Sequence, residues 1–274
     1  MTSSTLLDHA RTWLFVPGNR PDRFAKAHDA GADIVIVDLE DAVSADAKIE
    51  ARAHSADWLS RGGSAVVRIN APGSVWFDED LEMARSLSVP VIVPKSEDPA
   101  LLADIASRGI PTVALIESAL GIENAFEIAR TPGVSRVGLG HVDLALELGV
   151  DPNERVAFSF ARARLVLASA AASIAAPIDG VTTNINDMHV LADDVRHARA
   201  IGFTAKFCIH PRQINETHAA FAPTAQEIAW ARRLLSQSQS NANANAIEVD
   251  GQMVDKPVLA RAQRLLTLAS QHNL

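Results

Sequence analysis

The sequence predicts an α/β fold, a closed TIM (β/α)8 barrel followed by a separate carboxyl-terminal segment. Five short apolar runs each end in a charged side chain: Ile34 to Asp38, Ala65 to Arg68, Val91 to Lys95, Val113 to Glu117 and Val137 to Asp143. Runs of this kind, without polar alternation, read as parallel strands buried on both faces, so their terminal charges emerge together at one rim. Apolar runs alternate with amphipathic stretches at intervals of roughly thirty residues, the repeat of a barrel in which about 250 residues build eight strand-helix units. The length of 274 residues and a hydrophobic content of 48% supply a core large enough for that architecture. An open, doubly wound sheet is the alternative fold.

Taken in order, the expected strands are Thr12 to Pro17, Asp33 to Leu39, Ser64 to Ile69, Val89 to Pro94, Pro111 to Glu117, Arg136 to Leu139, Ala176 to Gly180 and Thr204 to Ile209. Helices between them include Pro21 to Ala30, opened by proline at a first helical position, and the Ala- and Leu-rich Ser159 to Ala175. The barrel is expected over residues 1–236. Gln237 to Ala246 is a repetitive Ser/Gln/Asn/Ala stretch without apolar periodicity, read as a flexible linker. Residues 247–274 form the remaining segment, with a short strand or hairpin over Ile247 to Asp255 and an amphipathic helix over Lys256 to Ala269.

Composition excludes several classes. A formal net charge of -8 argues against a nucleic-acid partner, which requires a surface that neutralises phosphates. No apolar run is long enough to cross a bilayer, so no membrane partner is expected. The first ten residues lack a basic segment followed by an apolar stretch, so the expected compartment is the cytoplasm. The lone cysteine, Cys208, cannot form an internal disulfide and reads as a small buried apolar residue in a strand.

The chemistry is expected at the rim. Glu117 and Asp143 end neighbouring strands, about 5 Å apart in backbone, and can share one hard cation; two carboxylates plus waters suit Mg²⁺. Each could instead cap the helix that follows it. Asp38, Glu40 and Asp41 form an acidic cluster after the second strand, placed to accept hydrogen bonds from metal-bound water or to form a solvated turn. Arg68 at a buried rim requires a carboxylate or phosphate partner, and its planar fork suits either a substrate carboxylate or an internal salt bridge. Arg20, Arg23 and Lys26 follow a tight turn at the end of the first strand, where they could hold phosphates or serve solvation.

The segments Arg11 to Arg20, Val37 to Asp41, Val67 to Asn70, Leu115 to Ala119, Gly140 to Leu144 and Ile209 to Pro211 resemble the citrate lyase beta subunit and malyl-CoA lyase family of the HpcH/HpaI aldolase superfamily. The likeness runs in order from Arg11 to about Arg264 and is strongest to stand-alone citrate lyase beta-like proteins. It implies a TIM barrel that binds an acyl-CoA thioester, with Mg²⁺ on Glu117 and Asp143, Arg68 orienting the substrate, Glu40 and Asp41 in the catalytic cluster, and Phe15, Arg20 and Lys26 contacting coenzyme A. The implied reaction is carbon-carbon cleavage of a malyl-, citramalyl- or citryl-type thioester through a thioester enolate. Thioesterase or malate-synthase-like activity, an aldolase of free hydroxy-keto acids and a subunit of a citrate lyase complex are the alternatives. Gly251 to Pro257 resembles the carboxyl-terminal lid of the longer members, which implies a homotrimer in which Asp255 reaches a neighbouring active site for proton transfer. Two departures from the family pattern, His141 and the loop Pro177 to Asn184, lie where the acid-binding pocket is expected.

Overall fold

The computed structural model of the chain describes residues 3–240, 247–249 and 252–271. Eight parallel strands close into a barrel: β1 (Thr12–Pro17), β2 (Ile34–Asp38), β3 (Val66–Arg68), β4 (Val91–Val93), β5 (Thr112–Ile116), β6 (Val134–Leu139), β7 (Ile178–Asp179) and β8 (Ala205–Cys208). Closure comes from parallel pairing of β1 with β8, with Thr12 opposite Lys206 and Leu14 opposite Cys208. Each strand lies at the predicted place, and most are shorter than the apolar run that marks them.

Alternation along these strands sorts side chains into two cores. Trp13, Ile36, Val66, Ile92, Val113, Leu115, Ile178 and Phe207 fill the barrel interior. Residues of opposite parity, such as Val67, Val91, Val93, Ala114, Ile116 and Val137, pack outward on the surrounding helices. Both faces are therefore apolar, which is why the strands read as continuous hydrophobic runs. Cys208 is fully buried within Sγ–Oγ1 3.7 Å of Thr217, and burial pushes its thiol up to about 11, leaving an inert packing residue.

The amino-terminal floor is closed by helix Ser3–His9 and by Arg136 of β6. Leu7 is buried in the interior cluster. The fully buried Arg136 donates from Nη1 to the carbonyls of Ala10 (2.7 Å) and Leu7 (3.1 Å), from Nε to Ala176 O (2.7 Å) and from Nη2 to Thr204 Oγ1 (2.7 Å). Burial pushes the guanidinium down to about 9, still charged at neutral pH. A single side chain thus ties the amino-terminal helix to strand ends distant in sequence.

The chain divides into two compact units at Ala220/Phe221. The expected boundary at residue 236 falls inside helix Ala225–Ser240, which belongs to the second unit and continues through the first four residues of the stretch read as a linker. Its apolar stripe explains the difference, because Ala231 and Leu234 are buried against Val254, Ala262 and Leu265. The rest of that stretch, residues 241–246, lies outside the described residues. Strands β9 (Ile247–Val249) and β10 (Gln252–Val254) pair antiparallel as a hairpin, followed by helix Lys256–Gln271. Among the described residues, no helix is long and apolar enough to cross a membrane.

Replacing Arg136 by Met keeps the volume but strands its buried oxygen acceptors, which costs about 3 kcal/mol. Denaturant unfolding should show that loss with the m-value retained; a stability equal to wild type would contradict the role given to Arg136.

Candidate functional site

The carboxyl-terminal ends of the strands surround a cavity of about 450 Å³ lined by Phe15, Asp41, Arg68, Glu117, His141 and Asp143 among others. Register builds this rim. Pro17 lies opposite Asp38, and Asp38 opposite Arg68, so the ends of β1, β2 and β3 share one level.

Arg68 and Asp38 form a buried fork-to-fork pair, Nε to Oδ1 and Nη2 to Oδ2, both 2.7 Å. Asp38 also accepts from the backbone N–H groups of Glu40 (2.9 Å) and Ala42 (3.1 Å), which folds the acidic turn back over the strand end. Two arms of the guanidinium thereby make the internal salt bridge, one of the two roles expected for its fork. Its remaining arm, Nη1, lies 3.1 Å from Glu40 Oε2 and 3.2 Å from Asp41 Oδ2. Phe15 supports the guanidinium from below, with Cζ 4.8 Å from the ring centroid. Burial opposes the charge of Arg68, yet Asp38 holds its pKa above the usual arginine value.

Glu117 follows β5 directly and is 5% exposed. It does not cap a helix. Ser118 does that, accepting from Gly121 N at 3.1 Å. Glu117 Oε1 instead accepts from the backbone N–H of Lys95 at 2.8 Å, with Lys95 held in a left-handed conformation (φ 49°). Behind it stands Gly140, where any Cβ would come within 2.5 Å of Glu117 Oε2. A glycine is required there for the carboxylate to lie at the mouth.

Asp143 is displaced from its expected position. β6 ends at Leu139, and Asp143 occupies the first turn of helix His141–Leu148, whose amino terminus carries no side-chain cap. Its carboxylate nevertheless lines the same cavity as Glu117, and its charge helps to raise Glu117. Burial first, and then the charge of Glu40, pushes Glu117 up to about 8. Burial likewise pushes Glu40 up to about 7, against the pull of Arg68, whose Nη1 lies within ion-pair distance of Glu40 Oε2 but out of hydrogen-bond alignment with it. Asp38, Glu40, Asp41, Glu117 and Asp143 thus outnumber the cations beside them, Arg68, Lys95 and Lys48, whose buried ammonium donates to the carbonyls of Leu39 and Glu40.

That imbalance, presented by oxygen donors alone, fits a hard divalent cation that keeps water ligands. Among the described residues no group of three or more His, Cys, Asp and Glu could hold a metal ion, so Glu117 and Asp143 would be its protein ligands, with other positions open to water or substrate.

Other expected residues lie elsewhere. Arg20 is half-buried and paired with Asp22 at 2.9 Å; Lys26 is exposed on helix Phe24–Asp29; neither lines the cavity. Asp255 belongs to the second unit, where its Oδ1 accepts from Val258 N at 3.3 Å, capping the last helix. Sequence reasoning missed Gly140 and the backbone of Lys95 as supports of Glu117. The paired glycines of Gly138-Leu139-Gly140 inside a strand run were the available signal for a close approach.

Known proteins resemble this chain along most of its length. The family model for HpcH/HpaI aldolase/citrate lyase matches residues 11–211. A citrate lyase subunit beta-like protein of Mycobacterium tuberculosis is 39% identical over 266 residues, covering 94% of this chain and 95% of that one. A (3S)-malyl-CoA thioesterase of Cereibacter sphaeroides is 32% identical over 272 residues, covering 94% of each. Among solved structures, protein CitE from Mycobacterium tuberculosis in complex with magnesium, acetoacetate and coenzyme A aligns with a TM-score of 0.86 and 36% identity, over 96% of this chain and 98% of that chain. The closed barrel, the acidic rim on β2, β5 and β6, and similarity along nearly the whole length place this chain in the HpcH/HpaI aldolase/citrate lyase family.

Proposed function

We propose that this chain is a Mg²⁺-dependent carbon-carbon lyase that cleaves a 3-hydroxyacyl-CoA thioester of the malyl, citramalyl or citryl type into an acyl-CoA and a keto acid. The observation that carries this reading is the convergence of Glu117 and Asp143 on one cavity with Arg68 fixed beside them. The CitE complexes with magnesium and small keto acids, one of them also with coenzyme A, support it from relatives.

Glu117 and Asp143 would hold the ion, which when bound polarises the substrate hydroxyl and the nascent carbonyl of the keto-acid half. Cleavage removes the hydroxyl proton, breaks the carbon-carbon bond and leaves a thioester enolate that takes up a proton to become acyl-CoA. Arg68, immobilised by Asp38 and Phe15, presents fixed positive charge to the developing enolate without reorganising during the reaction. Glu40, with a pKa of about 7, is suited to exchange a proton near neutrality, and Asp41 stands at the cavity wall beside it. Asp255 is the candidate for protonating the enolate, within a homotrimer whose carboxyl-terminal segments serve neighbouring barrels. Arg20 and Lys26 are candidate contacts for the phosphates of coenzyme A.

Hydrolysis of the thioester is the second reading, favoured by the 32% identity to a (3S)-malyl-CoA thioesterase. The products separate the two: cleavage releases a keto acid and an acyl-CoA, hydrolysis a hydroxy acid and free coenzyme A.

Purified chain supplied with Mg²⁺ and a panel of malyl-, citramalyl- and citryl-CoA should release keto acid from at least one member. Glu117→Gln or Asp143→Asn should lower kcat/KM by about 10³-fold or more, as expected when an ion ligand is lost. Release of coenzyme A without keto acid would replace the lyase reading by the thioesterase one. The double substitution of Arg20 and Lys26 by Ala should raise KM for the thioester by about tenfold with kcat nearly unchanged, reflecting lost charge-assisted contacts to phosphate. An unaltered KM would remove these residues from the coenzyme A site.

The sign of the pH dependence follows from the raised carboxyls. Glu117 and Glu40 have folded-state values of about 8 and 7 against an ordinary 4.5, so the stability they leave intact at low pH is lost as pH rises through those values. Burial pushes His141 the other way, to about 4, so its penalty accrues only as pH falls below its ordinary 6.5. Between pH 6.5 and 8 the ion-free protein should therefore lose thermal stability, and saturating Mg²⁺ should raise Tm more at pH 8 than at pH 6.5. Scanning fluorimetry reads both effects; an equal Mg²⁺ shift at the two pH values would contradict the coupling.

A further inference from the structure

A second cavity, of about 350 Å³, adjoins the mouth and shares His141, Val181 and Thr183 with it. Its inner wall, unlike the mouth, holds two buried cations. Arg162, 7% exposed, donates from Nε to Asp179 Oδ1 at 3.1 Å, and Lys206 donates from Nζ to Asp179 Oδ2 at 3.1 Å and to Gly180 O at 2.6 Å. Two buried cations therefore share one buried carboxylate, leaving an excess positive charge on the inner wall.

The other charged groups of the lining form a separate outer cluster around Arg155, which leaves the cavity as a whole without excess positive charge. Asp194 is paired with Arg155 at 2.8 Å and accepts from Thr182 Oγ1 at 2.7 Å, while Asp193 is also paired with Arg155, at 2.7 Å. Glu154 accepts from Val156 N on the outer loop. His141 is neutral, lies edge-on to Phe158 at 5.8 Å and has its Nδ1 packed against Gly180, where a Cβ would come within 2.1 Å. The guanidinium of Arg162 lies over the same Phe158 ring at 5.9 Å. Its Nη1 is buried and has no hydrogen-bond partner among the described residues. A buried charged donor left in that state carries a desolvation penalty that an anionic acceptor would relieve.

We propose that this cavity is a second carboxylate subsite, in which Arg162 Nη1 receives a free carboxylate of the acyl group and so favours hydroxyacyl thioesters with two free carboxylates over those with one. The inference rests on the proposed lyase reading for its substrate, and extends it by naming the residue that sets specificity. The acyl group enters past His141 and Thr183 from the Glu117 and Asp143 pair. Asn184 lines this second cavity and not the first, and its Oδ1 holds the loop by accepting from Asn186 N (3.0 Å) and Asp187 N (3.1 Å).

Two substitutions test it. Arg162→Lys keeps the charge that balances Asp179 while removing the second arm of the fork. Asn184→Asp keeps the loop acceptor and adds repulsion on an exposed residue. Binding is measured by calorimetry on the full chain in chelator, without coenzyme A, using tricarballylate and glutarate, which differ by one carboxylate. The wild type should prefer tricarballylate, and each variant should lower that preference by about tenfold, the scale of one charge-assisted hydrogen bond. In steady-state assays the ratio of kcat/KM for citryl-CoA over malyl-CoA should fall by a similar factor. Unchanged Tm would exclude a folding defect, and Asn184→Asp carries the test if Arg162→Lys unfolds. Equal binding of the two acids by wild type, or variants that retain its preference, would overturn the subsite. Failure of the lyase reading appears separately, as absent keto-acid release from every thioester while the calorimetric preference persists.

Discussion

Everything at the barrel mouth depends on one electrostatic constraint, the crowding of buried carboxylates at the ends of β2, β5 and β6 with too little positive charge among them. Asp38 is neutralised by the Arg68 fork. Glu40 and Glu117 are not, and their pKa values of about 7 and 8 record the cost of burying them as anions. The chain nevertheless invests specific geometry in keeping Glu117 there. Lys95 adopts a left-handed backbone to donate to it, and Gly140 supplies room that no other residue could leave. Such placement is intelligible if a cation completes the site, because the same ion converts mutual repulsion into shared attraction.

The apolar barrel makes this arrangement possible. Interior packing around Trp13, Leu115 and Phe207 fixes the strand ends, and the Arg136 network closes the opposite face. Rigid support lets Arg68 hold its charge toward the cavity on the stacked ring of Phe15. On the far side of His141 two buried cations, Arg162 and Lys206, share the one carboxylate of Asp179. A substrate spanning both regions would meet a cation-hungry wall at its reacting carbons and the unpartnered Nη1 of Arg162 at its remote end.

Much of this was legible in the sequence because strands buried on both faces leave a simple signature, and all eight lie where uninterrupted apolar runs indicate them. The charged residues ending those runs located Arg68 and Glu117 for the same reason. Asp143 was legible as a rim residue but not as a helical one, since Gly140 lets the chain turn sharply after β6 and the helix begin at once. The commitment of Arg68 to Asp38 was hidden because a fork can face either a substrate or its own chain, and only register decides. Arg162, Asp179 and Lys206 stand on different elements, and no local pattern announces their meeting. The start of the polar stretch after Ser236 carries no helical signal of its own, because the apolar residues that anchor helix Ala225–Ser240 lie further back in it.

The central claim is that Glu117 and Asp143 hold one divalent ion between them. Titration of the full chain with Mn²⁺, counting free ion by its electron paramagnetic resonance signal, tests this without any assumption about substrate. The account predicts one ion bound per wild-type chain and none, at the same concentrations, when Glu117 is replaced by Gln. Undiminished binding by that variant would contradict it.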